Sequence, residues 1–258
     1  MPTIHFLGKI APSGYRTSIT NLPGINFKSA EIGVEFDLAI QVHDSIIDVE
    51  CKGERLEEPD IFNHAFKVVY DMARTSVNMM SFATGITFSV VLDELIHTDG
   101  TRRPFAIQHL HLAQLCTAYS TEPPHETNGF MEIMKIVMAE PALFLALDQL
   151  ITATSVHHLM AVNSARAIEG LRHAMASAGM SRNQEWELFR TNLNVDEKYL
   201  RLITDHSISG RHGEGTFVAG NITSEIIIRA WTIMDRFLEY RKRGNLALPI
   251  ADFPLLTG

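Results

Sequence analysis

The chain has 258 residues, of which 46% are hydrophobic, and this is enough to bury the core of one large domain or of two ordinary ones. Its formal net charge of -8 counts against a general DNA-binding role and leaves only local contacts to a polyanion. The chain has two cysteines, Cys51 and Cys116, which argues against the disulfide framework of a secreted protein.

The charge is distributed unevenly along the chain. Residues 1–150 carry 10 Lys and Arg against 19 Asp and Glu, whereas residues 151–258 carry 12 against 11. The N-terminus lacks a basic start followed by an apolar run, and no uncharged apolar stretch has the length of a bilayer. We therefore expect a cytoplasmic protein without membrane contact, built from an acidic N-terminal part and a nearly neutral C-terminal part.

Alternation of apolar and polar residues predicts strands in the first fifty residues. Residues 30–43 and 46–51 alternate and are rich in β-branched side chains, with a short polar turn at residues 43–45. They predict a β-hairpin. The acidic side chains of this region suit the solvent-facing side of a half-buried sheet better than a metal site: Glu35, Asp37, Asp44, Asp48 and Glu50.

The hydrophobic period changes after Pro59. Apolar residues at spacings of three and four predict a helix over residues 60–83 that ends at Gly85. Residues 86–97 and 104–111 flank an Asp-Gly turn and predict a second hairpin. A linker at residues 123–129 then separates two predicted domains, an acidic α+β recognition or regulatory domain at 1–124 and a helical domain at 125–258.

The C-terminal domain is predicted to be an all-α bundle. We expect helices over residues 130–138, 141–154, 155–178 and 222–243, with a shorter pair over 183–206. Ser155 is expected to be the N-cap of the long helix, and Gly179 is expected at its C-terminal end. The overall fold class is therefore α+β.

Arginine and histidine cluster around the end of the predicted helix pair. An arginine can hold a phosphate oxygen while a histidine moves a proton, so such a set suits attack of a ribose 2′-hydroxyl without a metal. The structural alternative is that an arginine pairs with a nearby carboxylate and a histidine caps the helix. The candidate positions in this segment are Arg201, Asp205, His206, Arg211, His212 and Gly213.

Residues 130–245 resemble the HEPN superfamily of dimerising helical bundles. The resemblance is carried by the segment Arg166 to Arg172, by Arg201 with four residues before His206, and by residues 211–213. It implies a homodimer, formed through the helical domain, that acts on RNA as an endoribonuclease with no metal or cofactor and leaves a 2′,3′-cyclic phosphate. Such enzymes suit a toxin or an antiphage-defence effector.

The resemblance assigns roles to individual residues. It implies catalysis by Arg201, His206, Arg211 and His212, and substrate contacts by Asp205, Gly213 and Arg166.

An alternative function is a non-catalytic HEPN-like module that binds RNA, nucleotide or protein. Leu202 supports this alternative, because the family commonly has a polar residue after the motif arginine. The acid excess of the N-terminal domain makes it a poor RNA surface and a candidate for binding a protein partner.

His109 and His111 would share one face of a strand, but with no third ligand we expect no metal site. We interpret the glycine-rich segment 210–220 as a flexible loop rather than a phosphate cradle.

Overall fold

The structure is a computed structural model that describes residues 1–12, 14–19, 22, 24–29, 33–105, 112, 114–116, 128–208 and 220–258. The chain divides into two compact units, Met1–Gln108 and His109–Gly258. The first unit is a sheet with a helix and the second is helical, so the predicted α+β class is confirmed. The expected boundary between residues 124 and 125 lies outside the described residues.

The N-terminal unit is built on an antiparallel sheet with the strand order β2-β3-β4-β1-β5-β6. The first strand of the chain lies near the centre of this sheet and pairs with β4 and β5. Described strand bounds are β1 Thr3–Ala11, β2 Ile25–Ser29, β3 Val34–His43, β4 Ile46–Gly53, β5 Ser89–Ile96 and β6 Arg102–Pro104.

The predicted first hairpin is confirmed as β3 and β4. Asp44 and Ser45 connect them, with φ angles of 49° and 66°, as a two-residue turn of the type I′ requires. Ser45 is buried, and its hydroxyl donates to the Tyr15 carbonyl (2.9 Å) and accepts from the Thr17 N–H (3.0 Å). The turn is therefore tied to the loop that follows β1.

The solvent-facing side of the sheet carries the acidic residues, as predicted. Burial alternates strictly along β3. Glu35 accepts a hydrogen bond from the Asn26 side chain and forms an ion pair with Lys28. On the neighbouring strands His5 Nδ1 lies 2.9 Å from Asp48 Oδ1. These carboxylates are compensated locally on a wet sheet face, in agreement with the polar positions of a half-buried sheet.

Helix α1 (Pro59–Thr84) covers the buried face of the sheet. Pro59 begins the helix, and Gly85 ends it in the left-handed conformation with φ 70°. Phe66 of this helix packs near Phe6 of β1, with ring centroids 5.9 Å apart. The predicted helix and its end are confirmed.

Gly8 marks an irregularity where β1 meets β5. The register shifts between Leu7 and Gly8, and a Cβ atom on Gly8 would stand only 2.0 Å from the Val91 carbonyl oxygen. A side chain cannot be accommodated there because the neighbouring atom is backbone. A second hairpin is present at the predicted Asp-Gly turn as β5 and β6, but its second strand is Arg102–Pro104 rather than residues 104–111. Residues 106–111 lie outside the described ranges.

The C-terminal unit packs its helices around α4. Described bounds are α2 Asn128–Ala139, α3 Pro141–Ser155, a 3₁₀ turn His157–Leu159, α4 Met160–Met175, α5 Arg182–Leu193, α6 Glu197–Asp205 and α7 Gly220–Lys242. α4 contacts α3, α5, α6 and α7. Small residues such as Ala165 and Gly170 permit the close approach of α4 to its neighbours, since a Cβ on Gly170 would already stand 3.4 Å from the Ala146 Cβ of α3.

The predicted long helix over residues 155–178 is wrong in its details. Ser155 ends α3 rather than capping α4, and its hydroxyl donates back to the Ile151 carbonyl (3.2 Å). Val156 is extended and breaks the helix, Leu159 is the N-cap of α4, and Gly179 lies in the turn that follows. Polar side chains at a helix end favour such local bonds, which sequence pattern alone does not resolve.

Residues 243–258, here called the C-terminal clasp, fold back on the corner between α5 and α6. The Asn194 side-chain amide donates to the Leu248 and Phe253 carbonyls (2.8 and 2.9 Å). Asn194 is itself left-handed, with φ 52°, where asparagine is tolerated. Val195 and Leu256 pair as an isolated parallel bridge. The clasp therefore fixes the corner through main-chain contacts.

In the part of the chain that the structure describes, no helix combines the length and the apolar character needed to cross a bilayer.

Candidate functional site

A cleft in the C-terminal unit lies beside the two helices that follow α4. α5 begins in a capping box, in which Ser181 Oγ accepts from the Gln184 N–H and Gln184 Oε1 accepts from the Ser181 N–H. α6 begins at Asp196, whose carboxylate accepts from the Tyr199 N–H at 2.6 Å. Both capped starts fix the register of the side chains that face the cleft.

The cleft has a volume of about 510 Å³. It is open on one side, and its walls come from α4, α5 and α6. Such a volume falls in the ordinary range for small-molecule sites, roughly 300–1,000 Å³. The lining residues are Glu169, Arg182, Asn183, Trp186, Glu187, Arg190, Glu197, Leu200, Arg201 and Thr204.

The charges of the lining balance in number, since it contains three arginines and three glutamates. Arg182 lies 3.5 Å from Glu169, and Arg201 donates from Nε and Nη2 to Glu197 Oε1 (2.9 and 2.6 Å). Arg190 differs from both: it is half-buried and its guanidinium makes no hydrogen bond or ion pair with any described residue. A partly desolvated guanidinium with open donors is suited to an anion.

Trp186 and Leu200 form the apolar part of the lining. The Arg172 guanidinium lies over the Trp186 ring, 5.0 Å from the centroid, and Phe189 meets it edge-on at 5.8 Å. Arg172 is itself paired with Glu185, and both side chains are largely buried. The buried Arg172–Glu185 ion pair and the Phe189 ring therefore hold the indole in place.

Arg201 and His206 do not converge within one protomer. Arg201 lies in the cleft with an exposed guanidinium, and the hydrogen bonds that it donates to Glu197 raise its pKa above the ordinary value. His206 is half-buried at the C-cap of α6, past Thr204, the last described residue of this helix in the lining. Five residues along a helix correspond to about 140° around its axis, so the two side chains leave different sides of α6.

The other predicted site residues are placed as follows. Asp205 is exposed and accepts a long hydrogen bond from the Thr204 hydroxyl (3.4 Å). Arg166 is exposed on α4, one turn before Glu169, and is not part of the lining. Arg211, His212 and Gly213 lie outside the described residues, as does most of the glycine-rich segment. Their predicted roles stay predictions.

Both halves of the chain resemble one protein family. Residues 4–105 match the N-terminal domain, and residues 130–242 the C-terminal domain, of a family described as a domain of unknown function, DUF8168. The chain matches both DUF8168 domain models. No curated protein and no solved structure matches it. Neither match indicates the HEPN superfamily, so that resemblance stays a prediction.

The cleft belongs to the part of the chain that matches the C-terminal DUF8168 domain, and most of its residues were not predicted as site residues. A pattern in α5 could have indicated them: Arg182, Trp186 and Arg190 recur at intervals of four and so share one helix face. Glu197 and Arg201 repeat the same interval on α6. Charge and an aromatic ring on one face are a weak signal by themselves, because solvated helix faces also show them.

The structure bears on part of the metal predictions. Across the described ranges, no group of three His, Cys, Asp or Glu side chains could hold a metal ion. His109 and His111 lie outside those ranges. Cys51 and Cys116 are not joined by a disulfide, and burial raises the pKa of the Cys51 thiol to about 12.

Proposed function

We propose that the C-terminal helical unit binds a phosphorylated ribonucleotide, alone or as part of single-stranded RNA, in the cleft lined by α4, α5 and α6. The observation that carries this proposal is the half-buried Arg190 guanidinium, which has no described partner and shares the cleft with Trp186. Arginine binds phosphate through two parallel hydrogen bonds, and an indole ring stacks with a base. The two groups supply the two halves of nucleotide recognition.

The balanced charge of the cleft restricts the kinds of ligand that it can bind. Binding to a long polyanion gains affinity from many uncompensated cations, whereas here Arg182 and Arg201 already face glutamates. Carboxylates and the Asn183 amide can instead hydrogen-bond to ribose hydroxyls and to base edges. A mononucleotide or a short single-stranded segment therefore fits better than a duplex.

The proposal is tested by binding of AMP, GMP and a fluorescein-labelled single-stranded 12-mer RNA in EDTA. Arg190→Gln should weaken binding of the phosphorylated probes by about tenfold, which equals about 1.4 kcal/mol, and should leave binding of the free nucleosides nearly unchanged. Lys198→Gln is the matched control, since it removes an exposed cation from α6 outside the lining. Equal loss in both variants, or no binding by the wild type, would contradict the proposal.

Our second candidate is a metal-independent endoribonuclease of HEPN type. It is favoured by the position of Arg201, which presents an exposed guanidinium in the cleft with His206 at the end of the same helix. In such a reaction the 2′-hydroxyl attacks the phosphorus, a histidine accepts its proton, and the 5′ oxygen leaves with a proton from a general acid. Because Arg201 and His206 leave different sides of α6, a second protomer would have to complete the site.

Cleavage of a labelled structured RNA and of a tRNA pool in EDTA tests this candidate. A nuclease predicts fragments with cyclic phosphate ends in the wild type and their loss in His206→Ala or His212→Ala. Binding without cleavage, with dimerisation confirmed, supports the non-catalytic module. An active enzyme should also arrest the growth of cells that express it, as the proposed toxin or defence role requires.

For the acidic N-terminal unit we propose a recognition or regulatory role toward a protein partner. Its support is the acid excess of the sequence. Crosslinking of the full chain in its host cell, with and without the residues of β2 at the edge of the sheet, tests whether a partner contacts this unit.

A further inference from the structure

Helix α3 exposes apolar side chains to solvent along one side. Phe144, Leu145 and Ile151 are 55%, 57% and 46% exposed. Asp148 lies between Phe144 and Ile151, at intervals of four and three residues, so these three side chains form one stripe. Exposed large apolar side chains that cluster on one helix face mark an interaction surface.

Helix α2 repeats the pattern with the opposite charge. Met131 and Met138 are 45% and 73% exposed, and Lys135 lies between them at intervals of four and three residues. α2 and α3 are separated by Glu140 alone and pack on each other. The two helices therefore carry two apolar stripes, each with one charge at its centre.

The two central charges lack partners within the described part of the chain. Neither Lys135 nor Asp148 forms a hydrogen bond or ion pair with a described residue, although other charges on α2 and at its end do. Glu132 of α2, for example, faces Lys242, and Glu140 faces Arg241. Lys135 and Asp148 are thus available to a second molecule.

We propose that α2 and α3 form a dimer interface with a second copy of this chain, in which α2 of each protomer packs on α3 of its partner. A twofold axis then creates two equivalent ion pairs, Lys135 with the partner's Asp148 and the reverse. Packing α3 on its own copy would instead bring like charges together, which is destabilising. The stripes are complementary to each other and not to themselves.

The available apolar area agrees with a dimer. At roughly 200 Å² per large side chain, the five exposed residues offer on the order of 500 Å² per protomer. Two protomers therefore bury about 1,000 Å² from these side chains alone, the lower bound for a specific interface. Flanking residues of both helices add to this area.

This inference goes beyond the proposed ligand binding and does not depend on it. The described lining of the cleft comes from α4, α5 and α6, so the cleft residues and the stripe residues are separate sets. A monomer could bind nucleotide, and a dimer could form without ligand.

Sedimentation velocity of the full chain over a range of concentrations tests the interface. The wild type should dimerise, and Phe144→Glu should raise the dissociation constant by at least about tenfold, as expected for a large side chain at the centre of an interface. Phe82→Glu is the control, because Phe82 at the end of α1 is even more exposed, at 87%, but lies outside both stripes. A monomeric wild type, or equal effects of the two variants, would overturn the proposal.

Charge reversal tests the orientation of the two helices. Lys135→Glu and Asp148→Lys should each weaken the dimer several-fold, and the double variant should return to within about threefold of the wild type. Both positions are solvent-exposed, so the variants should fold, which circular dichroism verifies. A double variant no better than the single ones would refute the α2-to-α3 pairing, even if Phe144→Glu dissociates the dimer.

Discussion

Arg236 is the clearest test of how the C-terminal unit is held together. It is 5% exposed in α7, and its guanidinium donates to the Leu193 and Asn194 carbonyls (2.8 and 2.9 Å) and to the Pro254 carbonyl (2.7 Å). Burial lowers the pKa of Arg236 from its ordinary value, which shows the cost of desolvating the charge. One side chain thus joins α7, the corner after α5, and the C-terminal clasp.

The expected loss of unfolding free energy in Arg236→Met follows from the three hydrogen bonds that the substitution removes. Three charge-assisted hydrogen bonds would contribute roughly 1.5–3 kcal/mol each, but removal of a desolvated charge offsets part of this. We expect a net loss of about 3 kcal/mol, in the range reported for broken buried networks. Arg236→Lys keeps the charge without the planar fork and should lose a smaller amount.

Urea unfolding followed by tryptophan fluorescence measures the loss of stability in the C-terminal unit. Both tryptophans of the chain, Trp186 and Trp231, belong to the C-terminal unit, so the signal reports on that unit alone. With an m value of about 2 kcal/mol per molar urea, the midpoint of Arg236→Met should fall by about 1.5 M. An unchanged midpoint, with Arg236→Lys also unchanged, would refute the idea that this side chain stabilises the corner.

Three further outcomes are expected. Since the pKa of Cys51 is raised from 9.0 to about 12, the unfolded chain releases the thiol proton above pH 9 while the native chain keeps it. Stability should therefore fall as the pH rises from 9, by about 1.4 kcal/mol at pH 10, and urea unfolding of Cys51→Ala should lack this component. Gly8→Ala should destabilise the sheet by about 2–4 kcal/mol in unfolding followed by circular dichroism, whereas Gly14→Ala, with no atom within 4 Å of the added methyl, should have little effect. Glu185→Gln should cost the C-terminal unit about 2–3 kcal/mol by tryptophan fluorescence, because it leaves Arg172 charged and largely buried.

The sequence predicts those elements whose signals are local. The first hairpin follows from strict alternation around a two-residue polar turn, and α1 follows from its period between Pro59 and Gly85. The break between α3 and α4 was expected between residues 154 and 155, but α3 runs to Ser155 and α4 begins at Met160, because no proline or glycine marks these ends. Apolar periodicity therefore locates helices well and their ends poorly.

The cleft was predicted only through Arg201, and the reason is long-range contact. Arg190 and Trp186 are ordinary residues of an amphipathic helix until α4 and α6 are placed beside them. Asn194 and the clasp meet across more than fifty residues of sequence, so no local pattern reveals their contact. Site residues that depend on such contacts need coordinates.

The position of the proposed dimer interface bears on the choice between binding and catalysis. A composite nuclease site requires the Arg201 of one protomer and the His206 of its partner to meet, and both residues belong to α6. The unpaired apolar stripes, however, lie on α2 and α3, which contribute no described residue to the cleft. A dimer formed through those stripes does not by itself bring a second α6 to the cleft. Two cleavage-competent half-sites would therefore need a further contact, whereas two independent nucleotide-binding clefts need none, and this favours the binding module.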